Sequence, residues 1–311
     1  MAIKINLFLG NFLVFRYLYF AFLIVAPAIT NVLPQFNSLN VLTAIFLGMG
    51  FSGKSRWFLF LSCSAAVVIR AIVVNVEEFK NPTAFLTRLI VYLIVTFIAS
   101  EVIKKYHEMK RQKTELILTL AKSMDSRDTF TANHSENVAK YALEISKEMN
   151  LSEEQCENIY IGGLLHDIGK IGIPESILSK PTELSACEFE NIKRHPLLGY
   201  EIVKYISAFK NSGIIDMVLY HHERYDGKGY PHGLKGEQIP LPARIIAVAD
   251  SFDAIISKRV YKSEMGLEYA MNEIENNKGT QFDPQIADIF LNLLQSDADT
   301  IVQYDPLEKS G

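Results

Sequence analysis

The chain has 311 residues, 49% of them hydrophobic, and a formal charge of −4 that is unevenly placed. Residues 1–103 hold seven Lys/Arg and three Asp/Glu and the remainder hold 24 and 32, so an apolar, slightly basic first third precedes an acidic, soluble-looking part. That balance excludes the basic stripe a nucleic-acid polymer requires; Cys63, Cys156 and Cys187, isolated and without a CxxC pair, argue against a disulfide framework or a thiolate metal site.

Four apolar stretches, about residues 7–30, 36–53, 57–76 and 84–103, read as membrane-spanning helices, the second short for a ~30 Å hydrocarbon layer. Lys4, then Lys54 with Arg56, then Lys104, Lys105, Lys110 and Arg111 alternate with loops at 31–38 and 77–83 that carry little positive charge. By the positive-inside rule this alternation predicts four spans with both ends in the cytoplasm. Arg16 and Arg88 lie near span ends, where they can snorkel; Arg70 sits deeper and is predicted to face the bundle interior, as a contact between helices or as a ligand site.

Residues 102–124 read as a linker helix with Val102, Tyr106, Met109, Leu116 and Leu120 near heptad spacing, interrupted by Lys113 and Ser123. This pattern predicts a short parallel coiled coil that pairs two chains. The organisation expected is a transmembrane region over 1–103, a linker over 104–124, a helical domain over 125–295 and a polar tail over 296–311.

From about 115 to 293 the periodicity is helical almost throughout, so the fold class is all-α. Val138, Tyr141, Ala142, Ile145 and Met149 form one apolar face with His134 at its start. Ile159, Leu164, Leu165 and Ile168 mark a second helix, expected to run to Gly169 and to carry His166 and Asp167. Pro196 suits a helix start and leaves His195 at its mouth. Ile214 to Leu219 lead into His221, His222 and a Gly-rich loop, and Asp250 sits among the apolar residues Ile245, Ile246, Val248 and Phe252.

Five of the seven histidines therefore lie at or beside ends of apolar helices, together with two carboxylates in apolar surroundings where an unpaired charge is costly. A single buried histidine is ordinarily a satisfied core residue, but five with two carboxylates point to bound cations. Seven ligands exceed the needs of one ion. They suit two: His134, His166, Asp167 and Asp250 on one, and the second oxygen of Asp167 with His195, His221 and His222 on the other. Nitrogen and oxygen donors without sulfur favour iron or manganese. Glu223, Asp226 and Asp253 are expected to orient neighbouring imidazoles.

The motif LLHDIGK (164–170) resembles the HD superfamily of metal-dependent phosphohydrolases, and HHERYDGKGYP (221–231) resembles the hallmark of its HD-GYP branch. HPLLGYEIV (195–203), IPLPARIIAVADSFDAIISKRVYK (239–262) and KGTQFDP (278–284) continue the likeness over roughly residues 115–293. The resemblance implies a phosphodiesterase that opens cyclic di-GMP to pGpG, and onward to GMP, through a hydroxide activated by two metals. It implies metal ligands at His134, His166, Asp167, His195, His221, His222 and Asp250, and catalytic roles for Asp167 and Lys170. Substrate phosphates would be met by Lys170, Arg259 and Lys262, with Tyr230 in the loop that names the branch. The apolar stretches and their loop charges predict a bacterial inner-membrane protein with its catalytic domain in the cytoplasm, and the resemblance implies a diguanylate-cyclase-type protein as a partner through that loop. Some relatives use a Glu four residues before the first ligand histidine for a third metal; Phe130 stands there, so two ions are expected. The competing readings are a receptor or scaffold that binds the nucleotide without turnover, and a phosphodiesterase for another cyclic dinucleotide such as cyclic GMP-AMP.

Overall fold

The computed structural model describes residues 12–74, 81–127, 133–258 and 264–296. Every named element among them is helical, as the periodicity predicts, and the chain divides into two units, Met1–Lys113 and Thr114–Gly311.

In the first unit, helices α1 (Phe12–Val32), α2 (Leu39–Gly50), α3 (Arg56–Val74) and the beginning of α4 (Pro82–Asp125) surround a small core. That core contains Tyr19, Ala44, Leu47, Leu59, Cys63, Val67 and Tyr92. Among the described residues three helices, α1, α3 and α4, are long and apolar enough to cross a membrane. The stretch at 36–53, expected as a fourth span, forms only the 12-residue α2. At 1.5 Å per residue such a helix rises about 18 Å, well short of the ~30 Å layer. Both chain ends on one side require an even number of crossings, so three long helices give that expectation no support.

Arg70 is 3% exposed and donates from Nη2 to Asn37 Oδ1 at 2.9 Å, so it does face the interior of this unit. Arg16 donates from Nε to the carbonyl of Gly50 at 2.9 Å, meeting one of the carbonyls that the end of α2 leaves without a helical partner.

Helix α4 is continuous through the predicted linker. Val102, Met109, Leu116 and Leu120 are exposed on it, whereas Ile117, Ala121 and Met124 are buried in the core of the second unit.

In the second unit α5 (His134–Glu148) packs against α6 (Glu153–Leu165) and α11 (Leu241–Lys258). Ser152 and Gln155 form a reciprocal capping box that starts α6. A 3-10 turn (Ile168–Gly172) follows, then the short α7 (Glu175–Leu178) and α8 (Ala186–Ile192), and then α9 (His195–Val203) and α10 (Ile214–Tyr220). Helices α12 (Glu264–Asn276) and α13 (Pro284–Ser296) close the core, where Phe252 and Phe290 meet edge to face with ring centroids 4.8 Å apart. Asp283 is buried in an ion pair with Arg244 at the start of α11.

Candidate metal centre

Helix α6 ends at Leu165, four residues before the Gly169 expected to end it, so His166 and Asp167 occupy the turn beyond the helix. The reason is a close approach of two backbones. A Cβ on Gly169 would fall 1.8 Å from the carbonyl oxygen of His195 and 2.4 Å from Gly199 N, so only glycine lets the 3-10 turn lie against α9. That contact sets Asp167 beside His195.

The histidines share one local device. His166 Nδ1 donates to Gly163 O (2.7 Å), His195 Nδ1 to Ile192 O (2.7 Å) and His221 Nδ1 to Val218 O (3.0 Å). Each acceptor lies three residues back, among the terminal helix carbonyls that have no intrahelical donor. Because a carbonyl can only accept, each Nδ1 carries a proton, and each Nε2 is the nitrogen turned to the centre as the metal-binding atom. His134 achieves the same by tertiary means: its Nδ1 donates to Asp253 Oδ2 (2.7 Å), and Asp253 Oδ1 accepts from Asn137 Nδ2 (3.0 Å).

The expected ligands come together in two groups. His134, His166 and Asp250 form one and Asp167, His195, His221 and His222 the other, with the candidate donor atoms of each group within 4.8 Å of one another. Asp167 connects them. Its Oδ1 is 3.2 Å from His195 Nε2, while its Oδ2 is 3.3 Å from His166 Nε2 and 3.8 Å from His134 Nε2. Asp250 Oδ1 lies 3.2 Å from His134 Nε2 and 3.8 Å from His166 Nε2.

These atoms fit cations better than they fit one another. His195 Nε2 and His221 Nε2 face each other at 3.2 Å, and His166 Nε2 is buried without a hydrogen bond. A shared proton does not resolve the first contact, because burial and neighbouring imidazoles hold His221 well below the usual histidine pKa, and burial lowers that of His195. Burial and His195 push His222 down to about 3. Burial opposes charge on His134 as well, but Asp250 and Asp253 outweigh it and raise its pKa well above the ordinary value. Burial would raise Asp167, yet Lys170, His166 and His195 prevail and keep it well below the usual carboxylate range. Neutral imidazoles at His195, His221 and His222 beside the ionised Asp167 are what a divalent cation requires of its ligands, whereas His134 and His166, both raised, must give up a proton to bind one.

Lys170 places Nζ 2.7 Å from Asp167 Oδ2. Tyr230 stands over the centre, its ring 4.8 Å from that of His222, where burial and the charges of Asp167 and Asp250 raise its pKa and keep it a hydroxyl donor. Gly229 makes this possible: a Cβ there would come within 2.5 Å of the His222 carbonyl oxygen, and the neighbouring Tyr230 N–H donates to that oxygen at 3.2 Å.

Arg259 and Lys262, expected at the substrate phosphates, and Phe130, on which the two-ion expectation draws, lie outside the described residues. Two expected orienting residues do something else. Glu223 accepts the N–H groups of His232, Gly233 and Leu234, and Asp226 pairs with Arg224 and accepts from Lys228 N, so both carboxylates brace the loop instead of an imidazole. Asn137, which holds Asp253, has almost no local signature of this role. Its one signal was an amide one turn after His134, near an otherwise apolar face.

A family model described as HD domain matches residues 118–286. Among similar proteins, the cyclic di-GMP phosphodiesterase response regulator RpfG of Xanthomonas campestris pv. campestris is 41% identical over 186 residues, 60% of this chain and 49% of that protein. A cyclic di-GMP phosphodiesterase of Thermotoga maritima is 41% identical over 199 residues, 63% of this chain and 52% of that one. The 3'3'-cGAMP-specific phosphodiesterase 1 of Vibrio cholerae is 35% identical over 194 residues, 62% of this chain and 44% of that one. The chain thus spans about half the length of the relatives it matches.

Proposed function

Because the chain belongs to the HD domain family, we propose that its second unit is a metal-dependent phosphodiesterase that hydrolyses cyclic di-GMP to pGpG. The observation that carries this reading is the two-sided carboxylate of Asp167, one oxygen turned to each group of ligands. Names of the relatives supply the substrate class.

Two ions, iron or manganese by the donor set, would be held by His134, His166, Asp167 and Asp250 and by Asp167, His195, His221 and His222. When bound, they supply a water of lowered pKa and neutralise charge on a phosphoryl group. The chain's own residues do the rest. The Nδ1 hydrogen bonds fix each imidazole ring, Lys170 adds a cation beside the shared carboxylate, and the Tyr230 hydroxyl is a donor at the mouth of the site. Arg259 and Lys262 are assigned to the second phosphate of the dinucleotide. The absence of a ligand residue at Phe130 fits two ions, with pGpG as the main product.

Cyclic GMP-AMP is a second reading, favoured by the likeness to the Vibrio cholerae enzyme. The test is turnover of both dinucleotides by the full chain in detergent, loaded anaerobically with iron or manganese and followed by chromatography. Cyclic di-GMP is expected to have the higher kcat/KM and to accumulate pGpG. Preference for cyclic GMP-AMP selects the second reading, and binding of both without any product would leave a receptor or scaffold.

The apolar helices of the first unit anchor the protein in a bacterial inner membrane. The cluster Lys104, Lys105, Lys110 and Arg111 keeps the catalytic unit in the cytoplasm, with the linker over 104–124 and the domain over 125–295. Val102, Met109 and Leu116, seven residues apart and exposed, pair two chains along α4, and the loop at 223–233 is the surface for a diguanylate-cyclase-type partner. Met109→Lys combined with Leu116→Lys is expected to halve the protein mass measured by light scattering after subtraction of detergent. A double variant of unchanged dimeric mass would refute the pairing.

A further inference from the structure

The end of α4 and the residues just after it contact two of the segments that carry ligands. Asp125, its last residue, is 7% exposed; Oδ2 accepts the N–H of Ser135 at 3.1 Å and Oδ1 accepts the Ser135 hydroxyl at 2.6 Å. Ser135 follows His134 in the first turn of α5, where N–H groups have no intrahelical acceptor. Asn133, in the N-cap position, makes no capping bond with its side chain, so the cap of α5 comes from another helix.

Two residues on, Arg127 donates from Nη1 to the carbonyl of Lys170 (3.2 Å), from Nη2 to that of Ile173 (3.2 Å) and from Nε to Glu175 Oε2 (3.0 Å). One guanidinium thus straddles the 3-10 turn that follows Asp167 and carries Lys170. The turn has short-range hydrogen bonds of its own, from Lys170 N–H to the Asp167 carbonyl and from Ile173 N–H to that of Lys170, and the rigid fork of the arginine adds a constraint from outside it.

We propose that Asp125 and Arg127 are positioning residues, through which the end of α4 sets the placement of His134 relative to Asp167 and Lys170. The inference rests on the metal-dependent reading above and adds what aligns the two elements. His134 and Asp167 sit on segments more than thirty residues apart in sequence. A single helix end grips both, so a shift of that end misaligns them together. Neither residue touches metal or substrate.

The experiment compares Arg127→Ala and Asp125→Ala with Asp125→Asn and Glu175→Gln in the full chain in detergent. Both alanine variants are expected to lower kcat by about tenfold or more, with KM and metal content unchanged, because misplacement by about 1 Å is enough for such losses. In metal-free protein, hydrogen exchange is expected to quicken over 167–173 in Arg127→Ala and over 133–139 in Asp125→Ala. Asp125→Asn keeps a hydrogen bond to Ser135, and Glu175→Gln leaves both carbonyl contacts of Arg127, so each should stay near wild type. An unchanged kcat in the alanine variants overturns the proposal. So does faster exchange spread evenly over the whole unit with a lowered Tm, which marks general loosening. If the wild type itself turns nothing over, the functional reading fails, while exchange and the electron paramagnetic resonance spectrum of manganese-loaded variants still decide the positioning role.

Discussion

Asp167→Ala is expected to abolish turnover, by about three orders of magnitude or more, and to lower metal content in both groups of ligands. Among the described residues it alone offers one oxygen to each group, with Oδ1 3.2 Å from His195 Nε2 and Oδ2 3.3 Å from His166 Nε2. Lys170 and the surrounding imidazoles keep the carboxylate ionised despite burial, so it is a ready ligand throughout the physiological range. Replacing Asp253 is a graded comparison. That side chain orients His134 and belongs to neither group of ligands, and loss of an orienting partner costs about 10- to 100-fold in affinity or activity. Metal analysis beside turnover for the two variants checks both statements. An Asp167→Ala protein with full metal content and normal turnover would remove the basis of the shared-carboxylate arrangement.

Removing metal with a chelator should stop turnover and lower the melting temperature by about 10 °C, and readdition of iron or manganese should restore both. A ligand at a thousandfold excess over its Kd stabilises by about 4 kcal/mol, and a unit of this size shifts by about 2–4 °C for each kcal/mol. Uptake also has a pH sign. His134 and His166 are raised above the usual pKa, because Asp250 and Asp253 for the first, and Asp167 with Asp250 for the second, outweigh their burial. In the metal-free chain these two imidazoles therefore hold protons that a cation must displace. Apparent affinity is expected to strengthen as pH rises through those raised values and to weaken as it falls. His195, His221 and His222 contribute little to this, since each is already neutral at pH 7. Proton release on metal addition, measured by calorimetry in buffers of different ionisation enthalpy, checks the sign. Uptake without proton release near neutral pH would contradict it.

Legibility differed among elements for physical reasons. The face from Val138 to Ile145 and the buried run from Ile245 to Phe252 were readable because core burial imposes a helical period on composition. The start of α9 was readable from Pro196, whose missing N–H costs nothing in a first turn. Gly169 has the local signature of an ordinary helix terminator, yet α6 ends four residues earlier. The glycine's actual requirement, the closeness of the His195 backbone, involves a segment 26 residues away. The stretch at 36–53 looked like a span because hydropathy records apolarity without recording where a helix stops. Glu223 and Asp226 neighbour the imidazoles in sequence, but the N–H groups of the loop at 228–234 take their carboxylates instead.

By itself, then, the sequence determined the all-α class, the apolar character of the first third and the seven side chains that meet at the centre. Those properties depend on residue type and local period. It also held the Nδ1 bonds of His166, His195 and His221, since each acceptor lies three residues back on the same segment. Only the tertiary structure decided that Asp167 faces both groups, that Asp253 holds His134 and that Asp125 and Arg127 reach Ser135 and the 168–172 turn. Each of these is a contact between distant segments whose register is set by packing, and no local pattern encodes a distance across a core.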